Sequence, residues 1–181
     1  MATVITVSGK AESGKDFCSK ILKKELERLG KKVLIVHYAD YLKFIATQYF
    51  GWNGEKDVEG RRLLQWLGTD VVRKRYPDFW VETVSRLLIV FSPDFDFFLI
   101  PDTRFPNEID KMMDCFNVIS VKINRINYEN TLTPEQRNHA SETSLDNYLF
   151  DCEIEAESGV ESATIAVRDF IANCEILQYE L

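Results

Sequence analysis

Short apolar runs alternate along this chain with stretches of helical spacing. Residues 3–8 (TVITVS) form a β-branched run that predicts a strand. Helical spacing follows over 15–29, where Phe17, Ile21, Leu22, Leu26 and Leu29 make an apolar side and Gly30 stops the helix. Residues 32–38 (KVLIVHY) predict a second strand, nearly continuous in hydrophobicity, as expected of a strand covered on both faces. Three helical patterns come next, over 41–50, 57–75 and 79–91, with no strand between them. Residues 97–101 (FFLIP) predict a third buried strand, 107–115 a helix and 118–123 (VISVKI) a fourth strand. The polar stretch 124–147 carries no strong pattern. A short strand is expected over 151–154 and a last helix over 160–177.

Strands alternating with helices imply an α/β layered fold with a mainly parallel sheet in a single domain, 1–181. Two insertions interrupt it: an all-helical block at 41–91 and the polar stretch 124–147. Ligands of such sheets bind at the carboxyl ends of the strands, so the loops around 9–15, 38–43, 101–105 and 124–142 are the places to look for chemistry.

Composition fits a soluble globular protein: 181 residues, 45% hydrophobic and 28% charged. No apolar run approaches a membrane span, and the N-terminus has no basic region before a hydrophobic stretch, so neither a membrane nor a secretory signal is expected. The net charge of −7 is uneven. Residues 142–181 hold ten acidic groups and one basic group, Arg168, while residues 1–141 hold 21 basic and 19 acidic groups. Binding to a nucleic-acid polymer wants a basic surface, which this chain does not supply. A phosphorylated small ligand needs only a few well-placed cations. The four cysteines, at 18, 115, 152 and 174, form no C-x-x-C pair, and only His37 and His139 could join them in a metal site. They read as small buried hydrophobes in a reducing cytoplasm.

The first loop reads Gly9-Lys10-Ala11-Glu12-Ser13-Gly14-Lys15-Asp16. It follows a strand and opens a helix, the context of a Walker A phosphate loop. Its glycines let the backbone turn N–H groups inward, the helix N-terminus adds its positive end, and Lys15 bridges the outer phosphates of a nucleoside triphosphate. Gly9, Lys10, Ser13, Gly14, Lys15 and Asp16 are therefore the expected ATP phosphate-binding residues. Asp16 stands where a hydroxyl usually coordinates Mg2+; a carboxylate can serve the ion directly or through water.

Gly-x4-Gly-Lys-Asp, in place of Gly-Lys-Ser/Thr, resembles the loop of the phage-type deoxynucleoside monophosphate kinases and related small-molecule kinases. Further stretches similar to that family follow in order. They are Ala39-Asp40-Tyr41-Leu42-Lys43; Arg61-Arg62-Leu63-Leu64-Gln65-Trp66-Leu67-Gly68-Thr69-Asp70 with Phe79-Trp80-Val81; Ile100-Pro101-Asp102-Thr103-Arg104; and His139-Ala140-Ser141-Glu142. The resemblance spans about residues 5–142. It implies a three-layer P-loop NTPase fold in which 41–91 is a helical nucleotide-binding insertion and 124–147 a lid. It also implies transfer of the ATP γ-phosphoryl group, with Mg2+, to a nucleoside monophosphate, a deoxynucleotide above all. Acceptors of the dephospho-coenzyme A type, or nucleotide binding without turnover, are the rival readings. Where the family carries an Asn near the adenine, this chain has Ala156.

Phosphoryl transfer is mostly positioning and charge neutralisation, and the residues can be read in those terms. Asp102, at the end of the third strand, either holds Mg2+ through water, orients the acceptor phosphate, or satisfies the amides of a turn. Arg104 is a natural bidentate clamp for the acceptor phosphate. Asp40 can cap the helix after the second strand, and the resemblance sets it beside the reacting phosphates; one residue can do both. Lys43 either binds acceptor phosphate or is helix surface. Arg62, Gln65 and Thr69, at spacings of three and four, share a helix face that can read a base and hold a phosphate, with Arg61 beside them. Trp66 and Trp80 read as packing of the helical block. Arg125 and Arg137 are the arginines a lid would bring to the transferring group, and Glu142 a lid or lid-anchor residue. Lys15, Asp40, Asp102, Arg104 and Arg137 form the expected catalytic set. A homodimer is compatible with this reading.

Overall fold

The computed structural model describes residues 2–128 and 131–181. Five strands, β1 (Thr3–Ser8), β2 (Val33–Ile35), β3 (Phe97–Ile100), β4 (Asn117–Arg125) and β5 (Cys152–Ala156), form one parallel sheet in the order β2-β3-β1-β4-β5. Alternate residues of the apolar runs feed two cores. On one face Ile5, Val7, Phe97, Leu99, Val121 and Ile123 pack with Leu22 and Leu26 of helix α1 (Lys15–Arg28) and Val167 and Phe170 of helix α8 (Val160–Asn173). On the other, Val4, Phe98 and Ile100 meet Trp80, Val81, Val84 and Leu88 of helix α4 (Phe79–Phe91) and Met112 of helix α5 (Pro106–Met113). A strand buried on both faces has no polar side to alternate with, which is why these runs are continuous.

β2 is shorter than expected. It is the edge of the sheet, its residues Leu34 and Ile35 are only partly buried, and the chain leaves the ladder once Val36 N–H has donated to Leu99 O (3.0 Å). The block after it comprises α2 (Ala39–Phe50), α3 (Val58–Gln65), a π-helical continuation of α3 over Trp66–Arg73, and α4. Gly68 lets this continuation lie against α2, because a Cβ there would meet Leu42 Cδ2 at 2.8 Å. The polar stretch holds two single-turn helices, α6 (Pro134–Arg137) and α7 (Ala140–Thr143). The last expected helix is broken at Cys174, whose extended backbone separates α8 from α9 (Glu175–Gln178). Cys18 and Cys174 are buried as expected, and Cys115 and Cys152 partly so; Cys152 Sγ lies 2.8 Å from Cys174 Sγ. Among the described residues no helix is long and apolar enough to cross a membrane.

Candidate active site

The phosphate loop leaves the end of β1 through Gly9 and enters α1 through Gly14. Both glycines have positive φ, 146° and 89°. A Cβ on Gly9 would stand 2.5 Å from the carbonyl of Ile123 on β4, so only glycine lets the loop turn this close to the neighbouring strand. Lys15, the first residue of α1, is buried, and its Nζ donates to the carbonyls of Gly9 (2.9 Å) and Lys10 (2.7 Å). Burial, with the nearby Arg104 guanidinium, pushes the Lys15 ammonium down to about 7. Ser13 Oγ is buried and has no hydrogen-bond partner among the described residues. Lys10 points elsewhere: it pairs with Asp146 and donates to Glu142 O (2.6 Å).

A cavity of about 520 Å3 opens beside this loop. Lys15, Asp16 and Arg104 line its phosphate-loop end, and Lys43, Arg61, Gln65 and Thr69 line the side made by the helical block. Leu42, Leu64, Trp80 and Phe105 supply apolar wall. Arg104 Nη1 donates to Gly9 O (3.3 Å), the carbonyl that also accepts from Lys15, and lies 2.8 Å from Glu142 Oε1.

Gln65 and Thr69 of the expected helix face line the cavity, and of the two arginines one does. Arg62 is exposed and outside the cavity lining, and Arg61 takes its place. At about 100° per residue, Arg61 falls between Leu64, Gly68 and Gln65, whereas Arg62 lies at the edge of that sector. Arg73, at the end of the π-helical segment, reaches the far side of the cavity. It stacks over Phe105 (3.8 Å) and pairs with the buried Glu108 (2.5 Å), whose other oxygen accepts from the Arg104 (2.6 Å) and Phe105 (3.1 Å) N–H groups.

Asp40 does not cap its helix. It lies in the first turn of α2, exposed and outside the cavity lining, 3.1 Å from Lys43 and 3.4 Å from His37 Nδ1. Asp102 does that work from the end of β3, accepting from Tyr38 N–H (3.0 Å) and Ala39 N–H (2.8 Å). Burial raises the Asp102 carboxyl above its usual range, and the two amides and His37 oppose it. His37 carries no role in the sequence-based reading, yet its Nε2 lies 3.0 Å from Asp16 Oδ1. That contact raises the imidazole and lowers the carboxyl. The available signal was its position at the carboxyl end of a strand, where ligands of such sheets gather.

Glu12 was also missed. It is a non-glycine residue at φ 63°, and it turns its carboxylate out of the phosphate loop toward Tyr128 OH (2.6 Å), Thr131 N–H (3.1 Å) and Thr131 Oγ1 (2.8 Å). These hydrogen bonds hold it down at about 2, with Arg61 (3.6 Å) a smaller contribution. Arg125 donates to Glu12 O (2.9 Å) and Ser158 Oγ (2.8 Å) and stacks on Tyr128. Arg137 is exposed at the end of α6; Leu132 and Gln136 line the cavity from this segment instead. Residues 129 and 130 of the expected lid lie outside the described residues. Ala156 is buried in β5. Among the described residues no cluster of three His, Cys, Asp or Glu could hold a metal ion.

A parallel sheet of this order, with a glycine-rich loop and buried lysine at the end of β1 and a cation-lined cavity beside it, defines a P-loop kinase. Solved structures agree on the fold. A sugar kinase from Janibacter superposes with TM-score 0.55 at 13% identity, covering 99% of this chain and 98% of that one. An APS kinase of Mycobacterium tuberculosis, solved with AMPPNP and APS, gives 0.50 at 9% identity over 94% and 96% of the two chains. A cysteine-to-alanine variant of the latter gives 0.53 at 8% identity over 95% and 98%. No curated protein matches the chain. The family model of the deoxynucleotide monophosphate kinases matches residues 27–164, and the chain belongs to that family. It is a nucleotide kinase, a phosphotransferase.

Proposed function

We propose that the protein transfers the γ-phosphoryl group of ATP to a deoxynucleoside monophosphate held between the helical block and the sheet. One observation carries this reading: the Gly9 carbonyl accepts from both Lys15 and Arg104. The cation of the donor loop and the cation read as the acceptor clamp meet at one point, where an incoming and a leaving phosphoryl oxygen must both be neutralised. Lys15 and the loop amides hold the donor phosphates. Arg104, Lys43 and Arg61 hold the acceptor phosphate, and Gln65 and Thr69 face the base across the apolar walls of Leu42, Leu64 and Trp80. Leu132, Gln136, Ser141 and Glu142, which line the cavity, help keep water from the reacting group.

Mg2+ fits Asp16 better than Asp102. Asp16 is largely exposed beside Lys15, whereas both Asp102 oxygens accept backbone amides. With few protein ligands at hand, the ion would keep waters and phosphate oxygens, and it would offset phosphate charge. Four free cysteines suit a reducing cytoplasm. The test is ADP release over a panel of NMPs and dNMPs. Turnover with one or more dNMPs is expected; silence with all of them sinks the reading, and activity surviving Lys15→Ala sinks the site assignment.

A further inference from the structure

Glu142 sits where the donor loop and the acceptor clamp meet. Its side chain is only 8% exposed. Oε2 accepts from the Ala11 N–H of the phosphate loop at 2.8 Å, and Oε1 lies 2.8 Å from Arg104 Nη1. The loop grips back, since Lys10 Nζ donates to Glu142 O at 2.6 Å and pairs with Asp146. Arg104 makes a further, longer contact with Ser141 O at 3.5 Å. The carboxylate thus spends one oxygen on each side of the transfer, and burial leaves little water to compete for either.

We propose that Glu142 is a positioning residue that sets the spacing between the phosphate loop and Arg104. This rests on the reading of Lys15 as donor-side and Arg104 as acceptor-side cation. A phosphoryl group moves between oxygens that must lie in line and close together, so an error of an ångström in that spacing slows transfer without weakening either substrate. A carboxylate suits the task because its two oxygens accept independently. An amide offers one accepting oxygen, and the methyl of alanine none.

The signature is a split between kcat and KM. For Glu142→Ala, kcat should fall roughly 100-fold while KM for ATP and for the dNMP each stay within about 3-fold. Glu142→Gln should recover about 10-fold of that loss by keeping one of the two contacts. Arg104→Lys should cost less in the Glu142→Ala background than alone, because part of its effect runs through the Glu142 contact. Equal losses in the Gln and Ala variants, a raised KM at unchanged kcat, or additive effects with Arg104→Lys would each overturn the proposal. Amide exchange supplies a readout that needs no turnover. In Glu142→Ala, the Ala11 amide should exchange at least about 10-fold faster, while that of Cys18, bonded to Gly14 O at 2.8 Å, stays unchanged. Unchanged exchange at Ala11 overturns the positioning role. A wild type silent toward every dNMP overturns the proposed function instead, and the exchange result still decides whether Glu142 fixes the loop.

Discussion

Asp102 Oδ1 accepts the backbone N–H of Tyr38 at 3.0 Å, with Oδ2 on Ala39, so the end of β3 fixes the start of α2. The cavity wall carried by α2, including Leu42 and Lys43, is thereby held in register with the sheet. Asp102→Asn keeps one acceptor and turns an NH2 group toward the other amide. It should lower unfolding free energy by about 1–3 kcal/mol in denaturant titrations, the cost of a buried donor left unpaired. Asp40→Asn, at an exposed site, should change it by less than about 0.5 kcal/mol.

Lys15 titrates near 7 because it is buried next to Arg104. At pH 8 its free form is mostly neutral, and a bound triphosphate favours the ammonium. Binding must therefore take up close to one proton, since ATP itself is fully ionised there. Calorimetry in buffers of different ionisation enthalpy should show this uptake at pH 8. The uptake should shrink toward pH 6, where Lys15 is already charged.

His37 is raised chiefly by its contact with Asp16. A group raised in the folded state adds stability that is fully present below its unfolded value, near 6.5, and is lost as pH rises through the folded value. The Tm should therefore decline over that window, and Asp16→Asn should flatten the decline. By NMR, the same substitution should move the His37 midpoint back toward 6.5.

Glu12 ties the phosphate loop to Tyr128 and Thr131, and its carboxyl is held at about 2. A lowered acid contributes fully above its unfolded value, near 4.5, and loses that contribution progressively as pH falls from there through the lowered one. Limited proteolysis near Arg125 should therefore be slow in the wild type down to about pH 5 and speed up progressively from there toward about pH 2. In Glu12→Ala it should be roughly 10-fold faster already at pH 7, because the hydrogen bonds to Tyr128 and Thr131 are lost.

Arg61 and Arg62 are neighbours in sequence with opposite exposure to the cavity. Arg61→Ala should raise KM for the acceptor by about 10-fold or more, and Arg62→Ala by less than about 2-fold, in initial-rate measurements.

The layered fold was legible because buried parallel strands and amphipathic helices leave unmistakable periods. The boundaries of β1 and α1 follow from them to within a residue. β2 was overestimated because an apolar run says nothing of being at an edge. The phosphate loop was legible as a local motif, and so were Asp102 and Arg104 as residues at a strand end. What escaped was pairing across the sheet. Asp40 looked like the cap of α2, but a residue 62 positions later took the role. His37 and Glu12 could not be matched with Asp16, Tyr128 and Thr131 before the chain was folded. Arg61 and Arg62 were inseparable because one residue of helix rotation decides which of them the cavity meets.

The π-helical stretch Trp66–Arg73 has a consequence for the gene as well as the enzyme. Its wider turn holds about one residue more than an α-helical turn, so a codon lost between Gln65 and Arg73 can be taken up by tightening to α, whereas a codon gained would rotate all that follows by roughly 80–100°. A gained codon would draw Trp80 out of the core and Arg73 away from Glu108. Length is thus free to vary here in one direction only, and in a library of single-codon changes across the helical block insertions should be depleted at this stretch well before deletions.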